Sequence, residues 1–143
     1  MFIGEYQHSI DQKGRIAVPV KFRSTLKSGA VLTKGLDGCL FLFPKATWRK
    51  ISGSISSLPM SKASARSYAR LILAGATEME FDAQGRILIP ANLKNYAQLG
   101  QRAVIAGLNN RLEIWSKSKW EGTLERIEPN AGKIAEELAD MKI

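Results

Sequence analysis

Histidine and cysteine are almost absent from this 143-residue chain, which has one of each, His8 and Cys39. A single cysteine excludes an intrachain disulfide and any metal site built from several thiolates. A nucleophilic dyad or a histidine-rich metal centre needs partner side chains that the sequence does not offer to His8. We therefore predict no enzyme activity, no metal, no cofactor and no small-molecule substrate. His8 is interpreted as a hydrogen-bonded strand residue, and Cys39 as a small, semi-buried one.

Long apolar runs are also missing, and none approaches the roughly 20 residues that cross a bilayer. The N-terminal segment 1–5 has no basic stretch and meets an acid at once, unlike a secretory signal. Both features predict a cytoplasmic protein that does not enter a membrane. The length suits one compact domain, or two very small units that share a core.

Acidic residues are scarce in the first half of the chain. Residues 1–75 contain 12 Lys or Arg against 3 acids, whereas residues 76–143 contain 9 against 10, which together give the net charge of +8. An excess of positive charge favours a polyanionic partner such as nucleic acid. Because the first half is basic and the second half is near neutral with an acidic end, the two halves could also attract each other between subunits.

The chain contains an internal duplication. Segment 9–19 aligns with 80–90 at an offset of 71, with Asp, Gly, Arg, Ile and Pro identical. Segment 35–43 aligns with 107–115 at an offset of 72. Two matches at nearly the same offset seldom arise by chance, so they indicate a duplication. The predicted domains are a repeat at 5–48, a basic Ser-rich helical connection at 49–76, a second repeat at 77–120 and a helical C-terminal tail at 121–143.

Each repeat begins with the pattern of a hairpin. The alternation of apolar and polar residues predicts strands at 5–10 and 77–81, and each strand leads into an Asp-x-x-Gly-Arg turn. Segments 15–18 and 86–89 are then predicted to return as the second arm of that hairpin.

Proline and glycine mark the next helices. Pro19 and Pro90 suit the first turn of helices predicted at 19–27 and 90–98. Gly29 and Gly100 are predicted to end them. Further hairpin turns are expected at 36–38 and 108–110, and each unit closes with a helix that carries a tryptophan, Trp48 or Trp120.

One repeat alone is close to the size at which a hydrophobic core becomes marginal. Two copies that pair their strands would bury both apolar faces. The sequence therefore predicts an α+β fold, with a single pseudo-twofold β-barrel made by both repeats, short helices and a helical C-terminal tail.

The two turns have residues suited to bracing. The carboxylates of Asp11 and Asp82 can accept bonds from the backbone two residues on, as Asp does in many turns. Gly14 and Gly85 can adopt positive φ without a Cβ clash. An arginine four positions after each aspartate would lower the pKa of the carboxyl group, which argues against a general acid.

Arg15 and Arg86 are left at the mouths of the predicted hairpins, with Lys13 beside the first. A guanidinium group there can fork onto a phosphate or onto the O6/N7 edge of guanine. Alternatively, each Asp–Arg pair merely stiffens its turn. The residues alone leave these two interpretations open.

Specific strings of residues surround both turns. They are Met1-Phe2-x-Gly4, then His8-Ser9-Ile10-Asp11-x-Lys13-Gly14-Arg15 with Pro19, then Asp82-x-Gln84-Gly85-Arg86-Ile87-x-Ile89-Pro90. In these strings the sequence resembles the MraZ family of bacterial transcriptional regulators, and the resemblance covers essentially the whole chain.

The resemblance implies that each half is an AbrB-like (SpoVT-AbrB) unit, and that the two interlock as a swapped-hairpin barrel. It implies that Arg15 and Arg86 contact double-stranded DNA, and we expect the first turn, which carries Lys13, to contact it most strongly. It also implies a ring-shaped homo-oligomer, associated with the nucleoid, that binds short direct repeats upstream of the division and cell-wall gene cluster. The alternative is an AbrB-like, antitoxin-type protein-interaction module that does not bind promoters.

Overall fold

The computed structural model describes residues 1–141 and has a mixed α+β fold. The first repeat and the connection contain β1 (Phe2–Ser9), β2 (Arg15–Ala17), α1 (Val20–Leu26), β3 (Ala30–Lys34), β4 (Leu40–Pro44), α2 (Lys45–Ser56) and α3 (Ala63–Ile72). The second repeat and the tail contain β5 (Thr77–Met79), β6 (Arg86–Leu88), α4 (Ala91–Tyr96), β7 (Arg102–Asn109), β8 (Leu112–Ser116), α5 (Lys117–Ile127) and α6 (Ala131–Glu137). No helix in this part of the chain is long and apolar enough to cross a bilayer.

The strands form two antiparallel sheets. Six strands make the larger sheet in the order β1-β7-β8-β4-β3-β5, and β2 and β6 form a separate two-stranded ribbon. The first strand of each repeat pairs with a strand of the other repeat, β1 with β7 and β5 with β3. The repeats also meet where β4 pairs with β8 and β2 with β6. This exchange gives the molecule its pseudo-twofold relation and makes the two repeats one structural unit.

The predicted hairpin within each repeat is wrong. β2 pairs with β6 over three residues, whereas in the described part of the chain it meets the first strand region at one isolated bridge, between Ile10 and Ile16, beside the bond from the N–H of Asp11 to the carbonyl of Arg15. The turn therefore carries the chain from one sheet to the other, and the returning arm finds its partner in the other repeat. The first strands also differ in extent from the predicted 5–10 and 77–81, since β1 is longer and β5 shorter.

Strand pairing does not close the larger sheet into a barrel. β1 and β5 lie at its two edges, so within the described residues the ladder of backbone hydrogen bonds ends at both sides. One hydrophobic core nevertheless draws on both sheets. It includes Ile16 and Ile87 from the ribbon, Leu32 and Ile114 from the larger sheet, and Phe22 from α1.

The predicted helices near the turns are confirmed as α1 and α4, each entered directly from a proline. Their inward residues are buried as expected; these are Phe22, Leu26, Leu93 and Ala97. Gly29 lies just beyond the end of α1 at φ 128°, and its N–H donates to the carbonyl of Leu26 at 3.0 Å. The role expected of Gly100 is wrong, because the left-handed residue after α4 is Gln98, with φ 51°.

The second hairpins and the tryptophan helices are confirmed. The β3–β4 turn has Asp37 and Gly38 at positive φ, and the β7–β8 turn has Asn109 there. Trp48 lies on α2 against Phe43, and Trp120 lies on α5 with its ring centroid 5.5 Å from that of Trp115. These aromatic side chains pack against the outer face of the larger sheet.

Candidate nucleic-acid interface

The first turn is held by one carboxylate. Oδ1 of Asp11 accepts hydrogen bonds from the backbone N–H groups of Lys13, at 3.0 Å, and Arg15, at 2.9 Å. Oδ2 accepts a third from Nε of Arg15 at 2.7 Å. Gly14 completes the turn at φ 88°, a conformation that costs glycine little. The side chain of Asp11 therefore fixes both the backbone of the turn and the direction of the arginine.

The second turn repeats this geometry. Oδ1 of Asp82 accepts from the N–H groups of Gln84 and Arg86, each at 2.9 Å, and Oδ2 accepts from Nε of Arg86 at 2.8 Å. Gly85 lies at φ 74°. Because two sequence-distant segments adopt one geometry, the Asp-x-x-Gly-Arg string itself specifies the turn.

These hydrogen bonds lower the pKa of both aspartate carboxyl groups. The backbone N–H of Arg15 has the largest effect at Asp11, and the backbone N–H of Arg86 has the largest effect at Asp82. Hydrogen bonds to the charged form, together with the adjacent guanidinium, stabilise the carboxylate over the acid. This confirms the expected direction, and neither group is suited to donate a proton near neutral pH.

The two turns are tied to each other across the repeats. The carbonyl of Gly85 accepts a hydrogen bond from the N–H of Val18 at 3.1 Å, and the carbonyl of Gly14 accepts one from Ile89 at 2.9 Å. Between them the β2–β6 ribbon places Ile16 opposite Ile87, and both side chains are fully buried. The ribbon is therefore anchored to the core by its inner face.

Arg15 and Arg86 share the outer face of this ribbon. Side chains alternate along a strand, so the neighbours of the buried isoleucines point outward. Arg15 lies opposite Leu88, and Arg86 opposite Ala17, which makes the two arginines diagonal neighbours, about 7–8 Å apart at their backbones. Nη1 of Arg86 comes within 3.9 Å of Oδ2 of Asp11.

Both guanidinium groups have donors to spare. Each arginine is tied to its aspartate through Nε, and the side chains remain 31% and 28% exposed. Within residues 1–141 the terminal nitrogens of Arg15 and Arg86 make no hydrogen bond. The sequence left open whether the arginine braces the turn or binds a ligand. In this geometry one arginine can do both, since Nε braces the turn and the terminal nitrogens of the partly exposed side chain keep donors for a ligand.

The third residue predicted for this site, Lys13, is exposed in the first turn; its backbone N–H donates to Asp11, and its side chain makes no hydrogen bond within residues 1–141. Its counterpart Gln84 is likewise exposed. The ribbon thus brings Arg15 and Arg86 together on one surface, with Lys13 at one end of it.

Sequence reasoning missed a further arginine at this surface. Arg23, on α1, donates from Nε to the carbonyl of Val18 at 2.8 Å. Its guanidinium lies against the second turn, so that a Cβ added to Gly85 would overlap it. The contact joins positions far apart in the sequence; the only local signal was the excess of basic residues in the first half.

Cys39 and His8 are the other residues whose side chains the sequence singled out as potentially reactive. Cys39 is fully buried, and burial raises the pKa of its thiol well above the ordinary range. It is therefore more buried than expected. His8 lies on β1 as predicted, but its side chain makes no hydrogen bond within the described residues. Burial, followed by the charge of Arg23, lowers the pKa of His8. In the same part of the chain no three His, Cys, Asp or Glu side chains are grouped to hold a metal.

Comparison with known proteins identifies the family. A family model described as "MraZ protein, putative antitoxin-like" matches the chain twice, over residues 1–71 and 72–142, which confirms the duplication. Proteins named transcriptional regulator MraZ are similar over their full length. The one from Halothermothrix orenii is 48% identical over 143 residues, covering 100% of both chains. The one from Pediococcus pentosaceus is 47% identical over 140 residues (98% of both), and that from Roseiflexus castenholzii 46% over 142 residues (99% of both). The chain therefore belongs to the MraZ family.

Proposed function

We propose that this protein is a sequence-specific DNA-binding transcriptional regulator, and that Arg15, Arg86 and Lys13 contact the DNA. One observation carries the proposal: two braced guanidinium groups lie side by side on the outer face of the β2–β6 ribbon, and within residues 1–141 their terminal nitrogens donate no hydrogen bond, although Nη1 of Arg86 lies 3.9 Å from Oδ2 of Asp11. A fork held in this way loses little entropy on binding and matches the paired acceptors of a phosphate or a guanine edge.

The width of the ribbon supports a groove contact. A two-stranded β-ribbon fits the major groove, where each base pair presents a distinct pattern of donors and acceptors. The net charge of +8 adds the sequence-independent attraction that all such proteins use. The relatives are named transcriptional regulators. We extend that role to this chain and place it in the cytoplasm, at the nucleoid.

We further propose that the two sheets act as one barrel that holds the ribbon rigid. The core shared by the ribbon and the larger sheet supports this, because a turn displayed on a packed scaffold keeps its side chains in register with a groove.

The direct test is footprinting of the protein on DNA upstream of its own gene. We expect protection of short direct repeats upstream of the division and cell-wall gene cluster. Arg15→Ala and Arg86→Ala should each weaken binding with the assembly intact. Lys119→Ala removes a like charge that lies against Gly38, away from the ribbon, and should not weaken it. Unchanged affinity in both arginine variants would contradict the mechanism. A stoichiometric protein partner without any footprint would instead indicate the antitoxin-type module.

We also propose that the protein assembles into a ring, with the C-terminal tail as one contact. Every residue from Glu125 to Met141 is exposed, although this segment is mostly helical. A helix as short as α6 is marginal in water without packing. The exposed large apolar side chains of segment 125–141 are Ile127 at the end of α5, Ile134 on α6, and Leu138 and Met141 after α6.

The matching surface is formed by α2 and α3, in the helical connection that follows the first repeat. Residues 45–70 contain 6 Lys or Arg and no acid, whereas residues 121–141 contain 6 acids and 2 Lys or Arg. Exposed apolar residues, among them Leu58 and Met60, accompany the positive charges. Two unlike surfaces of opposite sign favour head-to-tail contacts, which close into a ring when the rotation allows. A ring presents many ribbons to spaced repeats and raises avidity.

Charge reversal tests this contact. Light scattering should give a mass several times 15.8 kDa for the wild type, and Glu136→Lys with Glu137→Lys should reduce it. Adding Arg66→Glu and Arg70→Glu should restore assembly, because the substituted positions on the two surfaces then carry opposite charges again. A wild-type monomer would refute the ring, and failure of the rescue would refute this pair of surfaces.

A further inference from the structure

The two turns do not carry equal charge from their own residues. Asp11 cancels Arg15, and Lys13 leaves the first turn with one excess positive charge. Asp82 cancels Arg86, and the neutral Gln84 leaves the second turn with none. On this count the second turn would attract a phosphate less strongly than the first.

Arg23 changes this balance. Its guanidinium lies against Gly85 in the second turn, and its Nε is tied to the carbonyl of Val18 at 2.8 Å. As at Arg15 and Arg86, the terminal nitrogens make no hydrogen bond within residues 1–141. Arg23 therefore shares the pattern of the two motif arginines, with Nε anchored on the protein and the fork free.

The pseudo-twofold relation is broken at this residue. The counterpart of Arg23 at the offset of 71 is Lys94 on α4. Among the described residues beyond its chain neighbours, those within 4 Å of the position that a Cβ on Gly14 would take are Ile89 and Leu88, so Lys94 does not cover the first turn. Each turn thus has one cation beyond its Asp–Arg pair. In the first turn this is Lys13, from the turn itself, and at the second turn it is Arg23, from α1 of the other repeat.

We propose that Arg23 is a DNA-phosphate contact that belongs to the second turn and makes it equivalent to the first. The expectation that the first turn dominates the contact is then replaced by two turns of similar strength. The inference rests on the proposed function, and it adds a residue outside the duplicated Asp-x-x-Gly-Arg motif.

Nearby acids do not occupy the guanidinium. Arg23 lines an open groove of about 1030 Å³ together with Glu78, Glu80 and Asp82. In the described part of the chain none of these carboxylates comes within the 4.0 Å of a salt bridge to Arg23. Lys27 and Lys45 line the same groove, so with Arg23 its three basic side chains balance its three acidic ones, and the groove offers a phosphate no net attraction.

The test is a salt titration of binding to a duplex from the region upstream of the gene, with Arg23→Gln, Arg23→Lys and the matched control Lys94→Gln. Arg23→Gln should weaken binding about tenfold. It should also make the log–log salt dependence shallower by about 0.9 for each protomer on the DNA. Arg23→Lys should keep most of the salt dependence but lose part of the affinity, since lysine lacks the fork. Lys94→Gln should leave both unchanged.

A double-mutant cycle assigns the contact to a turn. Arg23→Gln should be non-additive with Arg86→Ala and additive with Arg15→Ala, because only residues at one contact couple. Weaker binding with an unchanged salt slope would make Arg23 a brace of the ribbon and overturn the proposal. If the wild type binds and Arg86→Ala weakens it while Arg23→Gln does not, only this inference fails. A wild type that does not bind the DNA overturns both this inference and the proposed function.

Discussion

At the scale of single residues, the carboxylates of Asp11 and Asp82 hold the two turns and their arginines in place. Each carboxylate accepts two backbone N–H groups and one arginine Nε. A turn that displayed a mobile arginine would lose side-chain entropy on binding, roughly 2 kcal/mol for a free arginine. Bracing through Nε removes part of that loss before DNA arrives. In the proposed function, Asp11 and Asp82 therefore act as positioning residues for the two arginines.

The lowered pKa of both carboxyl groups predicts a pH dependence of stability. Their pKa in the folded chain lies below the ordinary 3.8, so their contribution is complete above that value. It is lost as pH falls through the folded pKa, because the unfolded chain takes up the protons first. Thermal melts from pH 6 to pH 2 should show the wild type losing stability in acid more steeply than Asp11→Asn/Asp82→Asn. Asparagine keeps an acceptor oxygen but cannot titrate. Parallel curves would contradict this account.

The residue scale also marks a limit of sequence reasoning. Asp11, Gly14 and Arg15 could be recognised because turn chemistry is local and the string recurs at the offset of 71. Arg23 could not, because its partner Gly85 is brought to it only by pairing between repeats. Nothing in the sequence near α1 marks that contact.

At the scale of elements, the ribbon has one inner and one outer face. The alternation Arg-Ile-Ala and Arg-Ile-Leu sends one isoleucine from each strand into the core and leaves the arginines outside. Three residues a strand are too few for an independent hairpin. The ribbon is stable because Ile16 and Ile87 are buried.

A matched pair of substitutions tests this anchoring. Ile87→Ala leaves a cavity in the core and should lower the free energy of unfolding by about 2–5 kcal/mol. Its neighbour Leu88 is 56% exposed, so Leu88→Ala should stay within about 0.5 kcal/mol of the wild type. Denaturant melts of both variants decide the matter. Similar losses in the two would mean that the ribbon is not fixed by its inner face.

Elements could be located from the sequence better than they could be paired. Both proline-led helices, both second hairpins and both tryptophan helices followed from local patterns. The partner of β2 did not, because an alternating strand fits any neighbour that covers its apolar face. The end of α4 was also missed, since Gln98 adopts a left-handed conformation that glycine usually provides.

At the scale of the whole molecule, each repeat depends on the other. The eight pairs of β1 are all made with β7, and the ribbon takes one strand from each repeat. The duplication visible in the sequence is therefore not a division into two folding units. It is a single unit whose halves are exchanged.

This interdependence predicts the behaviour of an isolated half. Residues 1–71, which match the family model once, should be unfolded as a monomer, because β1 and β2 lack their partners. They should fold only by pairing with a second copy, which the pseudo-twofold relation permits. Circular dichroism and light scattering over a range of concentrations will test this. A folded monomer at low concentration would contradict the exchange.

The central claim is that the forks of Arg15 and Arg86, and not merely their charge, read the DNA. Its most direct test is the ratio of dissociation constants for a scrambled duplex and for the duplex upstream of the gene. This ratio is compared between the wild type and Arg15→Lys/Arg86→Lys. Each lost bidentate contact removes about 1–3 kcal/mol of discrimination. The ratio should therefore fall by roughly an order of magnitude or more, while binding to the scrambled duplex persists. An unchanged ratio in the folded variant would contradict the claim.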